Sequence, residues 1–170
     1  MKAVLYLMIG FPGAGKTTTS RIIHELTGAV HIWADQERNK MFGIPSYSNQ
    51  ENIKLYDHLN DIANQLLKDG KSVIFDTNFN FRSDRDKLRK IASNNDAKCQ
   101  VVWVKVDKSL ALKRATQNAH LQDTRILGNI PKSDFERMTN NLEPPNEDES
   151  PIVVDGTKVT TEYIRKIFGL

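Results

Sequence analysis

The sequence is poor in the features that mark several large classes of protein. It has one cysteine, Cys99, in 170 residues, so no internal disulfide can staple it. Cys99 lies in a strand-like run and reads as a small buried hydrophobe. No apolar run approaches the roughly 20 residues that span a bilayer. The longest, Ala3–Ile9, begins almost at Met1 and shows no signal-peptide cleavage pattern. These absences predict a cytoplasmic protein with no membrane partner. Repeats, low-complexity tracts and long linkers are missing too, so the chain reads as one domain over residues 1–170. The four histidines (His24, His31, His58, His120) lack metal-ligand spacing and read as surface or packing residues. Charge of neither sign dominates, and a net charge of +3 is too small to indicate nucleic-acid binding. The charges are unevenly placed, however. Arg82 to Lys90 carries five bases against two acids, and Glu143 to Glu149 has four acids and no base. That asymmetry suits either steering of an anionic substrate or a solvated helix face.

What is present is organised around Gly10-Phe-Pro-Gly-Ala-Gly-Lys16-Thr17, which fits the phosphate-cradling pattern G-x-x-x-x-G-K-[ST]. An apolar strand-like run precedes it and a helix-like run follows from Lys16. That context lets the loop through Gly10, Pro12, Gly13, Ala14 and Gly15 curl around a phosphate, with the N–H groups of its non-proline residues turned to the phosphate oxygens. The helix then adds its positive end, with Thr17 and Thr18 in its first turn. Lys16 is placed to reach the β- and γ-phosphates, and the Thr17 hydroxyl to bind Mg²⁺. The loop implies a bound nucleotide.

Along the chain, strand-like runs alternate with helix-like ones. Strands are expected at Ala3–Ile9, Val30–Trp33, Ser72–Phe75, Gln100–Val106 and Ile152–Val154. Helices are expected from Lys16 to Thr27, Asp35 to Phe42, Glu51 to Asp69, Arg82 to Ala92, Leu110 to Asn118, Lys132 to Asn141 and Thr161 to Phe168. Leu55, Leu59, Ile62 and Leu66 give the third helix its apolar stripe, and Gly28 and Gly70 supply stops. Five strands separated by helices imply an α/β fold: a three-layer P-loop NTPase architecture, with a parallel sheet covered on both faces and a helical lid. Ligands in such sheets bind beyond the carboxyl ends of the strands. The P-loop, Asp35 and Asp76-Thr77-Asn78 should therefore open onto one crevice.

Each polar residue near that crevice has a chemical and a bland reading. Asp76 is suited to supporting Mg²⁺ or to closing a strand-end turn; Thr77 stands where many hydrolases place a glutamate, which favours transfer over hydrolysis. Asp35 and Arg38, three apart on one helix face, suit a general base with an anion-holding arginine. They suit equally an N-cap with a solvated neighbour. Arg114 and Arg125 flank a polar interval at about 115–131 that would close as a lid and bring positive charge over a transferring phosphoryl group; otherwise they are exposed. Phe79, Phe81 and Tyr47 are able to stack on a base or simply to pack.

Gly10–Thr17, Asp35-Gln-Glu-Arg38, Asp76-Thr-Asn-Phe-Asn80, Arg114 and Arg125 together resemble the P-loop polynucleotide 5′-kinases and, more broadly, the zeta-toxin-like small kinases. The resemblance implies ATP and Mg²⁺ as cofactors, Asp35 as general base, and Arg38 on the phosphate beside an acceptor hydroxyl. It further implies Arg125 on the ATP phosphates, Asp76 as an essential acid, and Thr77, Asn78 and Asn80 as substrate contacts. It also implies a nucleic-acid 5′ end as acceptor. The Leu142-Glu-Pro-Pro145 stretch resembles other small kinases of the wider group, which keeps a metabolite, nucleoside or antibiotic hydroxyl as an alternative. An ATP-binding regulator with little turnover is a further one.

Overall fold

The computed structural model describes residues 2–170. Strands β1 (Val4–Ile9), β2 (Val30–Trp33), β3 (Val73–Asp76), β4 (Lys98–Lys105) and β5 (Ile152–Asp155) form one parallel sheet in the order β2-β3-β1-β4-β5. The helices are α1 (Lys16–Thr27), α2 (Ala34–Phe42), α3 (Asn49–Lys68), α4 (Arg82–Asn94), α5 (Lys108–Thr116), α6 (Lys132–Asn140) and α7 (Thr161–Phe168). Short 3₁₀ turns at Ala119–Leu121 and Glu147–Glu149 interrupt stretches that carry no helical pattern in the sequence.

The strand sequences are nearly all apolar because both sheet faces are covered. Alternate residues feed two cores. Leu5, Leu7, Val73 and Phe75 pack with Leu55, Leu59, Ala63 and Leu67 of α3 and Leu88 and Ala92 of α4. Met8, Ile74, Val102, Val104 and Val154 pack on the other face with Ile23 of α1 and Ile164 of α7. Each fully buried leucine or isoleucine contributes about 1.5–3 kcal/mol of transfer free energy.

Most boundaries shift by one or two residues from the sequence reading, α5 for instance running Lys108–Thr116 rather than Leu110–Asn118, and two of the shifts have a clear physical cause. β4 starts at Lys98 because it pairs with β1 along the whole of β1, from Val4↔Lys98 to Ile9↔Trp103. α3 starts two residues earlier than its apolar stripe suggests. Ser48 is its cap, with its hydroxyl accepting from the Glu51 N–H at 3.2 Å. Among the described residues no helix is long and apolar enough to cross a membrane.

The carboxyl ends of β1, β2 and β3 lie side by side. The P-loop, Ala34-Asp35 and Asp76-Thr77-Asn78 leave the sheet at this edge.

Candidate active site

The loop after β1 folds tightly against the C-terminal half of the chain. Gly10 has φ 146°, and a Cβ there would sit 2.3 Å from the Val104 carbonyl oxygen, so only glycine fits. α1 begins directly from the loop, capped by Gly15 rather than by a side chain. Its first N–H groups therefore stay available to an anion. Lys16 is buried, and its Nζ donates to the Gly10 and Phe11 carbonyls at 2.9 and 3.1 Å. Burial pulls its pKa down to about 8; Asp76 opposes that shift, Arg125 adds to it, and Asp35 opposes it too. A lysine this poorly solvated gains from meeting a polyphosphate.

A cavity of about 1100 Å³ opens above the loop. Pro12, Gly13, Gly15, Lys16, Thr17 and Thr18 line one wall, and Asp35, Asp76, Thr77 and Asn78 line another. Arg114 and Arg125 reach it from the other side. Ala14 is fully buried beneath the loop and Gly10 backs it, so neither forms the wall.

Asp35 sits in the first turn of α2, with Trp33 rather than Asp35 at the cap position. Its carboxyl pKa is raised, first by burial and then by Asp76; Lys16, Arg125 and Arg38 act against the rise. The result is a more basic carboxylate across the cavity from the loop lysine. Arg125 is itself pulled down by burial and supported by Asp35. The two residues thus share one electrostatic environment, although they lie on segments ninety positions apart in the chain.

Asp76 is buried at the end of β3, and His31 of β2 donates to its Oδ2 at 3.0 Å. His31 is therefore part of the site's support, which sequence spacing did not reveal; the cue is its place two residues before Trp33 on the strand beside β3. Thr17 and Asp76 together offer a hydroxyl and a carboxylate. Among the described residues no group of three or more His, Cys, Asp or Glu could hold a metal. Hard oxygen donors, few in number, fit Mg²⁺, which takes most of its remaining shell from water and substrate phosphates. The residues present fit the ion.

Several expected residues stand elsewhere. Arg38 does not line the cavity. It is 7% exposed, and its guanidinium donates to the Glu51 carboxylate and to Asn52 Oδ1, the latter at 2.7 Å. Glu51 is buried at the start of α3, and an arginine beside a buried carboxylate pairs with it. Burial pushes the Glu51 pKa up, but bonds from Ser46 and from Arg38 outweigh this and leave it at about 2. The pair therefore persists throughout the physiological pH range. Asn80 is also away from the cavity: its carbonyl accepts from the Glu143 N–H at 2.8 Å, where Glu143 belongs to the Leu-Glu-Pro-Pro stretch. Thr77 does line the cavity, with its hydroxyl 3.0 Å from that of Tyr56 on α3. Asn78 lines it as well and turns its amide toward the Met138 sulfur at 3.9 Å. Arg114 donates from Nη1 to the Gly156 carbonyl at 3.1 Å, so it is anchored on the β5 side of the cavity.

The charge asymmetry has a different meaning from steering. Arg82 forks onto Asp148 at 3.0 and 2.5 Å, Arg89 meets the same carboxylate, and Arg85 meets Glu149 at 2.6 and 2.9 Å. The basic helix and the acidic stretch neutralise one another and leave little field for a substrate.

The fold recurs widely among solved structures. Kti12 of Chaetomium thermophilum, solved with ADP-AlF3, superposes with a TM-score of 0.76 at 18% identity, covering 97% of this chain and 95% of that one. A gluconokinase from Sinorhizobium meliloti 1021 gives 0.66 at 20% identity, over 99% and 90%. A chain of the Pnkp1/Rnl/Hen1 RNA repair complex gives 0.68 at 24% identity, over 88% of this chain but 45% of its own length. Among curated proteins none matches the sequence. Residues 5–145, from β1 to the end of the Leu-Glu-Pro-Pro stretch, match the AAA domain family AAA_33. With the loop, sheet order and cavity described above, that match means the chain belongs to this family of P-loop kinases.

Proposed function

We propose that this chain is an ATP- and Mg²⁺-dependent kinase whose acceptor is a nucleic-acid 5′-hydroxyl. Residues 1–170 then act as one kinase domain with a lid at about 115–131. The observation that carries the reading is Asp35: a carboxylate made more basic by burial, on the cavity wall that faces Lys16 and Arg125. A hydrolase needs only to place water, whereas a kinase needs such a base beside an acceptor hydroxyl.

In this reading the loop amides and Lys16 hold the ATP phosphates. Thr17 and Asp76 would hold Mg²⁺, which neutralises phosphate charge when bound. The acceptor oxygen attacks the γ-phosphorus and its proton passes to Asp35. The bond from phosphorus to the β–γ bridging oxygen breaks, and ADP leaves. Arg125 and Arg114 add positive charge at the transferring group, an effect that is worth about 10³–10⁵ in rate where an arginine makes it fully. Thr77 and Asn78 contact the acceptor. Arg38 acts on the acceptor indirectly, by shaping the wall behind Asp35.

The alternative acceptor is the hydroxyl of a small metabolite. It is favoured by the likeness to a gluconokinase over nearly the full length of both chains. Incubation with γ-labelled ATP and a panel of 5′-hydroxyl oligonucleotides, nucleosides and sugar acids separates the two readings. We expect label on the oligonucleotides; label confined to a sugar acid moves the acceptor to the alternative class. Asp35→Asn should keep ATP affinity and lose about 10²–10⁴-fold in transfer. In the wild type, transfer should fall as pH drops through the raised Asp35 pKa, at higher pH than an ordinary carboxylate would give. An unchanged rate in Asp35→Asn removes the base assignment.

A further inference from the structure

Three aromatic residues stand near the acceptor wall as candidate stacking groups, and their surroundings tell them apart. Phe79 is 3% exposed and packs edge-on against Phe75 at 5.1 Å. Phe81 is exposed but lies off the cavity. Tyr47 lines the cavity and keeps 52% of its surface. A fourth, Trp33, also lines it, but Arg21 lies over its ring at 5.5 Å and His31 stacks on it at 6.4 Å. Tyr47 alone combines an open surface with a place at the cavity.

Its position is also built rather than accidental. Arg38 lies over the Tyr47 ring at 4.9 Å, and Glu51 and Asn52 pin that arginine in turn. Asn52 donates to the Tyr47 carbonyl at 3.5 Å, and the neighbouring Ser46 donates to Glu51 from both its N–H and its hydroxyl, at 2.6 and 2.8 Å. The residue has φ 53°, a left-handed conformation that disfavours a bulky side chain. Strain of this kind persists only where the surroundings enforce it, and it gathers at ligand clamps. A buried cation behind the ring leaves the opposite face for a flat partner.

We infer that Tyr47 is the platform on which the terminal base of the acceptor stacks, with Arg38 as the positioning residue behind it. The inference rests on the nucleic-acid acceptor proposed above and specifies its subsite: the base of the 5′-terminal nucleotide is read by its π-face, not by hydrogen bonds. Recognition is therefore tolerant of base identity but intolerant of base loss. A sugar acid has no such face and gains nothing from the platform.

The test compares two 5′-hydroxyl oligonucleotides, identical except that one has an abasic residue at its 5′ end. The KM for each is measured with the wild type, Tyr47→Phe and Tyr47→Ala, alongside ATP affinity. Base–aromatic stacking corresponds to about 5- to 150-fold in binding. We expect the wild type and Tyr47→Phe to show a KM penalty in that range for the abasic acceptor. Tyr47→Ala should bind both acceptors with the same weakened affinity while ATP affinity stays within twofold. A wild type that phosphorylates both acceptors equally well overturns the platform and leaves the acceptor class standing. So does a Tyr47→Ala enzyme that still discriminates between them. A wild type that phosphorylates neither overturns both.

Discussion

At the scale of single residues, Lys16 makes the sharpest prediction. Its pKa of about 8 lies below that of an unfolded lysine, 10.5, because burial penalises the charge. Between those two values the unfolded chain binds more protons than the folded one, so this group makes stability rise with pH across that window. Polyphosphate reverses the penalty and returns the lysine toward its ordinary value. Binding of ATP at about pH 8.5 should therefore draw protons from solution. Calorimetry in two buffers of different ionisation enthalpy reads that uptake directly. In Lys16→Arg the uptake should vanish, since arginine is charged throughout; identical heats in both buffers for the wild type would show that Lys16 is already charged without nucleotide. Residue identity announced this lysine through its glycine-rich context. It did not announce His31, whose role comes from sheet order, or the placement of Arg38. The three-residue spacing of Asp35 and Arg38 is compatible with one site, but the buried Glu51 from the next helix claims the arginine. Helix periodicity carries no record of such a competitor.

At the scale of elements, the loop between β5 and α7 matters more than its short sequence suggests. A Cβ on Gly156 would lie 2.2 Å from the Ala14 carbonyl oxygen and 2.7 Å from Val106 Cγ1. Gly156 also supplies the carbonyl that holds Arg114. Gly156→Ala must therefore push the P-loop away from the β5 side, a shift of backbone rather than of a flexible side-chain tip. Overpacking of this sort costs about 1–3 kcal/mol, or roughly 2–12 °C in Tm for a chain of this size. We expect a lower Tm together with weaker ATP affinity. A drop in Tm with unchanged affinity would detach this loop from the nucleotide site. The strands and most helices were legible because their apolar patterns are long and their stops are glycines. The two 3₁₀ turns and the Ser48 cap were not, since each depends on one or two side-chain bonds rather than on a period.

For the whole molecule, the charged residues act as fasteners. Arg85 and Glu149 are both buried and meet through two hydrogen bonds, joining α4 to the segment that leads into β5. Removing Glu149 leaves Arg85 charged and buried, with the Phe79 and Asn80 carbonyls as its acceptors and no counter-charge, at a cost of about 3–5 kcal/mol. Glu149→Ala should thus lower Tm by on the order of 10 °C, whereas Asp148→Ala, beside it at the surface, should change Tm far less. Equal effects would mean that Arg85 finds water or another acceptor. Composition showed the two charge clusters, but only the fold, which brings the first turns of α4 near the chain before β5, shows that they face one another.

The sheet order also sets a timetable for synthesis. β1 leaves the ribosome before its two neighbours, β3 and β4, which follow some 70 and 90 residues later. Gly10 abuts Val104, and Ala14 abuts Gly156. The phosphate loop is thus made well before the segments that complete it. Until β4 has left the tunnel β1 lacks one of its neighbours, and until residue 156 has left it the glycine-rich loop after β1 lacks its last contact, an interval in which chaperones act on such intermediates. Nucleotide can capture the protein only after that, so ATP stabilises the finished fold and not its beginnings.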